Sequence, residues 1–380
     1  MPLALELAAA RLKLLPPSAL LARLVHRLEV LVGGARDAPA RHHTLRAALS
    51  WSYDLLDRRE QGLFRRLAVF AGGCTVRDVA AVAAQGAAPD RVVDDLSSLV
   101  DQGLLRRGDV DADPGQWRFS MLETMGELAL ERLEESGEAT ATRVRFALHW
   151  LTVAEHANVE PDRTGARWAA LAGPARGEQH WAHQIERRLQ WHRRAEREHD
   201  NLRAALRWFL DRRGSEAATH GLRLALALAP FWQARGYVGE GRDWLTRVLA
   251  ASAGHPPTAE RARGLNVLGE LARRLGDYPA ARRSFDEGVA TARDLGDEEI
   301  AAAGVYGLAV LTRNEGDLAT ARALNAQVLG IMRRVDSRPG VAACLNFEGH
   351  NDWDEGKYDQ ARSRHEQSLA LYREIGSPAG

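Results

Sequence analysis

Lysine is almost missing from this 380-residue sequence: Lys13 and Lys357 are the only two, and arginine supplies the rest of the basic charge. That scarcity excludes a phosphate-binding loop of the G-x4-G-K-[S/T] type. Such a loop needs backbone amides around the inner phosphates and a lysine reaching the outer ones. Lys13 is followed by Leu14 and Lys357 by Tyr358, and no G-x-G-x-x-G segment occurs. Cysteine is as sparse. Cys74 and Cys344 lie far apart, make no metal-ligand spacing, and fit a reduced, cytoplasmic setting. Net charge is absent, with 51 basic and 51 acidic residues, so there is no overall pull toward nucleic acid or membrane. No window approaches eighteen uncharged apolar residues, so no transmembrane helix is expected. The apolar start MPLALELAAARLKLL lacks a preceding positive charge and is interrupted by Glu6, which argues against a signal peptide. The motifs H-E-x-x-H, C-x-x-C and G-x-S-x-G are all absent. No catalytic residue and no metal site are expected, and the chain does not read as an enzyme.

What remains is an ordinary globular composition, 45% hydrophobic and 27% charged, long enough for two to four units. Leucines at 3, 5, 7, 12, 14 and 15 are spaced as on a helix, which Pro16-Pro17 ends. From Thr44 the pattern becomes a series of short helices. Thr44 caps the first. Asp57 with Glu60 has capping-box spacing for the second, whose apolar face is Leu63, Phe64, Leu67 and Phe70. Gly72-Gly73 breaks it, Thr75 caps a third around Val76–Ala84, and Val92 to Val100 is a fourth. Leu104-Leu105 and Trp117-Arg118-Phe119 flank the turn-rich GDVDADPG and predict a β-hairpin. A helix from Glu123 to Glu135 follows. Several helices and then a hairpin is the layout of a winged-helix domain. Residues 141–213 are helical and rich in Arg, His and Trp. There the scattered tryptophans, Trp181 and Trp191 among them, read as core, and His180, His183, His192 and His199 read as a solvated helix face rather than a metal site. Asp94-Asp95 likewise reads as a solvated pair.

The C-terminal third repeats with a period of forty residues. Turns fall at Gly236-Tyr237-Val238, Gly276-Asp277-Tyr278, Gly316-Asp317-Leu318 and Gly356-Lys357-Tyr358. Five residues after each Gly stand Gly241-Arg242, Ala281-Arg282, Ala321-Arg322 and Ala361-Arg362, and seven before each stand Ala229, Gly269, Ala309 and Gly349. Two antiparallel helices joined by a tight turn must approach closely, which small residues permit and a left-handed glycine starts. One hairpin cannot bury its apolar face alone, so neighbours stack into a superhelix. The pattern Gly269, Gly276, Tyr278, Ala281, Phe285 resembles the tetratricopeptide repeat, whose usual period is 34 residues. The fold class expected is mainly α: a winged-helix domain with a small β-hairpin, followed by a tetratricopeptide-repeat superhelix.

The strings PLALELAAARL at 2–12, TLRAALSWSYDLL at 44–56, EQGLFRRLAVFAGG at 60–73, RFSMLETMGELALERL at 118–133 and EHDNLRAAL at 198–206 resemble bacterial STAND regulators, the signal-transduction ATPases with numerous domains. The likeness is to AfsR-like and LuxR-like transcriptional regulators of actinobacteria. It implies an NB-ARC nucleotide-binding module ahead of this chain, ending in a helical domain whose proline touches the adenine. Pro2 is the matching residue, and residues 1–35 read as the remnant of that domain. Residues 36–137 are then the winged helix, 138–220 a helical linker domain and 221–380 the repeats. Where the family has a Met-His-Asp motif reading the phosphate of bound ADP, this sequence has Met121, Leu122 and Glu123, and leucine cannot donate to phosphate. ATP or ADP is therefore expected only if an upstream nucleotide-binding domain is supplied. The third helix, Val76–Ala84, is alanine-rich with Arg77 and Asp78 of opposite sign, where a groove-reading helix would show several basic or amide side chains, so no direct DNA binding and no membrane contact are expected. The resemblance implies a regulator whose repeats bind a protein or peptide on their concave face and couple to a nucleotide switch controlling transcription. Candidate contact residues on the first helices of the hairpins are Gln233, Asn266, Arg273, Arg313, Asn346 and Asp352. The alternatives are an ATPase half acting with a separately encoded nucleotide-binding half, or a free-standing adaptor or decayed gene fragment with no switch left.

Overall fold

The computed structural model describes residues 44–84, 88–109, 117–157 and 178–374, with Gly86 and a few isolated positions before residue 20. Two compact units run Met1–His149 and Trp150–Gly380, so the stretch 138–220 is shared between them.

The first unit begins with α1 (Leu45–Asp54), started by Thr44, whose hydroxyl accepts from the Ala47 amide at 2.9 Å. In α2 (Arg58–Leu67), Asp57 accepts from the Arg59 and Glu60 amides while Glu60 accepts from the Asp57 amide, the reciprocal capping box. Strand β1 (Cys74–Thr75) follows, entered through Gly73 at φ 80°, where a Cβ would stand 2.7 Å from the Phe119 carbonyl oxygen. Then come α3 (Val76–Val82), α4 (Pro89–Asp101), β2 (Arg106–Asp109), β3 (Trp117–Ser120) and α5 (Glu123–Glu135). The sheet order is β1-β3-β2, antiparallel throughout, with Cys74 opposite Phe119 and Arg107 opposite Phe119 on the other side. The expected hairpin is present, but Leu104-Leu105 are buried core residues just ahead of it and the strand starts at Arg106. Phe64, Leu96, Leu99, Leu104 and Leu128 form the centre of this core. Each such side chain, fully buried, contributes about 1.5–3 kcal/mol of transfer free energy. Asp95 is a correction: it is 6% exposed and held by Arg59 at 2.5 Å.

Helix α6 (Ala139–Ala157) fastens to this core at its start. Glu138 accepts from both Arg65 and Arg66 at 3.0–3.1 Å, and those bonds, Arg66 first, hold its carboxyl down at about 2. Asp78, 1% exposed, meets His149 at 3.0 Å and also accepts from the Thr75 hydroxyl at 2.7 Å.

The second unit continues with α7 (Glu178–Arg197) and α8 (His199–Asp211), then four helical hairpins. These are α9 (Ser215–Arg235) with α10 (Val238–Ala251), α11 (Ala259–Arg274) with α12 (Tyr278–Asp294), α13 (Glu298–Asn314) with α14 (Leu318–Arg334), and α15 (Arg338–Asp354) with α16 (Tyr358–Glu374). Gly236, Gly276, Gly316 and Gly356 all take left-handed angles, φ 75° to 90°, as their turns require. The turns between hairpins have the same form. Gly296 (φ 71°) and Asp336 (φ 53°) occupy the equivalent left-handed position, and Asp277, Asp297, Asp317 and Ser337 each cap the helix that follows. From α12 onward every helix has 17 residues and every turn three, so the forty-residue period is two identical steps of twenty. The excess over 34 is thus spread over both helices.

Close approach is visible at Phe285 on α12. It fits between Gly269 of α11 and Gly307 of α13, where added Cβ atoms would come within 2.8 and 2.3 Å of its ring. Ala281, Ala309 and Ala321 are fully buried at the crossings. The expected solvated histidine face is corrected here. His192 and His199 are each 8% exposed, because α7 and α8 pack on α9, with His199 ring centroids 5.2 Å from Phe231 and 4.6 Å from Tyr237, while Trp191, 4% exposed, is core as expected. The side chains of His180, Trp181 and His183 lie outside those described.

Candidate functional site

Met121 and Leu122 are half-buried against the winged-helix core, and Leu122 is the N-terminal flanking residue of α5, with no side-chain capping bond. Glu123 is exposed in the first turn. The two apolar side chains thus complete a hydrophobic core and offer no hydrogen-bond donor to a phosphate. Pro2 lies outside the described residues.

The helix-turn-helix pair is α3 and α4, and the second helix of such a pair is the one that enters a DNA groove. The helix placed to read DNA is therefore α4 and not Val76–Ala84. Helix α4 carries Asp90, Asp94, Asp95 and Asp101 against one arginine, Arg91. Asp95 is buried on Arg59, so the exposed charges of this helix are Asp90, Asp94 and Asp101 against Arg91, whereas duplex DNA carries a negative charge about every 1.7 Å along its axis.

On the repeats, the six candidates separate. Asn266 is 7% exposed; its amide donates to the Ile300 carbonyl at 3.0 Å, tying α11 to α13. Asp352 is 1% exposed and accepts from Arg322 at 2.7 Å and Arg364 at 3.0 Å. Both are corrections: they hold hairpins together and have no surface to give a partner. Arg273 is half-buried with its guanidinium on Glu270 at 2.8 and 3.0 Å. Arg313 reaches Asp354 at 2.6 and 2.8 Å, linking successive first helices. The Asn346 amide oxygen lies 2.9 Å from the His365 ring nitrogen Nδ1, and Gln233 is half-buried near the end of α9. These four keep a share of solvent exposure.

Sequence reasoning missed the interlocking arginines. Arg322 on α14 contacts Glu348 at 2.6 Å, Asp352 at 2.7 Å and Glu355 at 2.9 Å, all from the next hairpin. Forty residues earlier Arg282 bonds Glu315 in the same way. The Ala-Arg pair after three of the four turns was visible in the sequence; the acid ending the next first helix, at Glu315 and Glu355, is the other half of the signature. A second set of pairs reverses sign. Glu298 meets Arg334 within the third hairpin, and at the equivalent positions of the fourth Arg338 meets Glu374.

Residues 56–133 match the family model of the winged helix-turn-helix domain, and residues 299–374 match that of the tetratricopeptide repeat. The chain is therefore a winged helix-turn-helix domain joined to a tetratricopeptide array. Among curated proteins it is 33% identical over 384 residues to proteins of Mycobacterium tuberculosis and Mycobacterium bovis that bear the name HTH-type transcriptional regulator. The match takes in 99% of this chain and 40% of theirs, so the chain spans well under half the length of those relatives. An uncharacterized Mycobacterium tuberculosis protein is 37% identical over 150 residues, 39% of this chain and 37% of its own length. Among solved structures, a STAND protein with a tetratricopeptide repeat sensor from Pyrococcus horikoshii aligns over 99% of this chain and 54% of its own, at 13% identity and TM-score 0.44. Kinesin light chain repeats from Podospora anserina cover 50% of this chain and 92% of theirs, at 21% identity and TM-score 0.40.

Proposed function

We propose that this chain is the coupling and sensing part of a transcriptional regulator. Its repeats take a protein or peptide partner along the face of the first helices, and the winged-helix unit passes that occupancy to a nucleotide switch of the NB-ARC kind. It acts in the cytoplasm, is not itself an enzyme, and binds neither nucleotide nor DNA directly. The observation carrying this reading is the similarity to named regulators along 99% of the chain, in a fold made of stacked hairpins. Apolar Leu122, packed in the core, supports a winged helix that senses no phosphate by itself, and the three exposed aspartates of α4 support a clamp rather than a DNA reader.

A pull-down from the native host with wild type and with Arg273→Ala/Arg313→Ala/Asn346→Ala tests the partner surface. The expected result is a partner captured by wild type and lost from the triple variant. A partner retained equally by both moves the site off the first helices. Calorimetry with ATP and magnesium is expected to show no micromolar binding, and micromolar affinity overturns the division of labour described.

A further inference from the structure

The hairpin array is regular from α12 onward, and an earlier junction departs from that step. Between α10 and α11 the connection is seven residues, 252–258, where the later ones are three, and α10 has 14 residues where its counterparts have 17. Beside this irregularity lies a groove of about 300 Å³, lined from α10 by Thr246, Leu249 and Ala250, from α11 by Leu265 and Leu268, and from α12 by Ser284. Two of its three contributing helices are second helices of hairpins, so it is separate from the first-helix face.

The forty-residue period shows why space is left here. Ser284 of α12 corresponds to Leu324 of α14, which is half-buried against the next core cluster. Serine in place of leucine removes the side chain that fills the equivalent space one hairpin on. The floor that remains is apolar, with Leu249 5% and Leu265 3% exposed. The rim is charged. Arg261 is committed to Glu287 at 2.7 Å, the Leu249 carbonyl at 2.8 Å and the Ser252 hydroxyl at 2.9 Å. Arg283, also on the rim, is exposed and makes no ion pair among the described residues. One guanidinium beyond the Arg261–Glu287 pair leaves the rim with a single uncompensated positive charge.

We propose that this groove is a second binding site, taking a short peptide segment in which one aliphatic side chain is followed by a carboxylate. The aliphatic group enters where Leu324 sits in the next hairpin, and the carboxylate meets Arg283. An arginine suits this because its planar fork can hold both carboxylate oxygens. The site is independent of the partner surface on the first helices and stands or falls separately.

The test titrates the full chain, by NMR or calorimetry, with acetyl-Ala-Leu-Glu-Ala-amide and with its Gln and Ala counterparts at the acidic and aliphatic positions. Small ligands of this size reach only weak affinity, so saturable binding in about the millimolar range is expected for the first peptide, and at least about tenfold weaker binding for the other two. Ser284→Leu, which copies the native Leu324 of the next hairpin, is expected to abolish binding with an unchanged or raised thermal midpoint. Arg283→Glu, at an exposed position, is expected to weaken the acidic peptide about tenfold or more and to leave the Gln peptide unaffected. Arg313→Ala, on the first-helix face, is expected to leave binding as in wild type. Equal affinity for all three peptides, no binding up to about 10 mM, or wild-type binding by Arg283→Glu each overturns the proposal.

Discussion

Asn351 on α15 is completely buried, and neither atom of its side-chain amide has a hydrogen-bond partner among the described residues. Forty and eighty residues earlier the same position holds Leu311 and Leu271, each 0% exposed. Replacing Asn351 with leucine therefore restores the residue that the array uses elsewhere. Two effects favour the variant. Removing a buried, unsatisfied amide recovers about 1–3 kcal/mol of desolvation cost. Burying a leucine side chain adds transfer free energy of about 1.5–3 kcal/mol. One effect opposes it, because leucine is bulkier and overpacking costs about 1–3 kcal/mol. The balance favours Asn351→Leu by about 1–3 kcal/mol, since the helix spacing is already the one that admits leucine in the two preceding hairpins. A long repeat array need not unfold in one step, so the sharper assay is local. Hydrogen exchange of α14, α15 and α16 should slow in Asn351→Leu, and the denaturant midpoint of the C-terminal transition should rise. Leu311→Asn should do the reverse. Faster exchange in α15 of Asn351→Leu would refute the reasoning, by showing that the amide has a partner or that the fourth hairpin is packed differently.

Ala281→Arg places a long charged side chain at a fully buried helix crossing and should cost on the order of 1–3 kcal/mol or more; an unchanged melting midpoint would mean the repeat phase is wrong. Acid should loosen the start of the second unit through its two buried histidines. Burial, with Arg235 and Arg188 nearby, holds His192 below its ordinary 6.5; burial and Arg203 do the same for His199, against the pull of Glu240, Glu196 and Asp200. A depressed histidine pKa means that both states are neutral above 6.5, where the stabilisation is complete, and that the unfolded chain gains protons first as pH falls below 6.5. The melting midpoint should therefore drop between about pH 7.5 and pH 5, with a smaller drop in His199→Phe. Equal slopes in wild type and variant would remove His199 from the account.

Much of the fold was legible because capping and turn chemistry is local. Thr44, Asp57 with Glu60, Thr75 and the four turn glycines each fix their own few residues, and each does so as the sequence implied. The half-period was harder to read, since one of its turns uses Asp336 where glycine would be the obvious mark. Strand β1 is two residues long and exists only because β3 lies alongside, which no local pattern announces. The site was less legible than the fold. Composition identifies a polar residue on a first helix but not the side it points to, so Asn266 and Asp352 looked like ligand contacts while serving as ties between hairpins. His192 and His199 failed for a related reason: a run of arginine and histidine looks solvated until α9 is laid across it.

The equal steps of twenty residues carry a genetic consequence. Because each 17-residue helix and three-residue turn has the same length, a gene could lose or gain sixty nucleotides and still encode well-formed helices and turns. Such a change would exchange inner and outer helices for everything beyond it, and would bring Arg322 and its acids out of step. A change of one hundred and twenty nucleotides keeps every helix on its own side. The reversed pairs Glu298–Arg334 and Arg338–Glu374 add a further restriction, since a hairpin that exchanged partners between the third and fourth positions would set like charges together. The array is thus free to lengthen or shorten by whole hairpins, while the pairing of helices inside a hairpin is written in the sign of its surface charges.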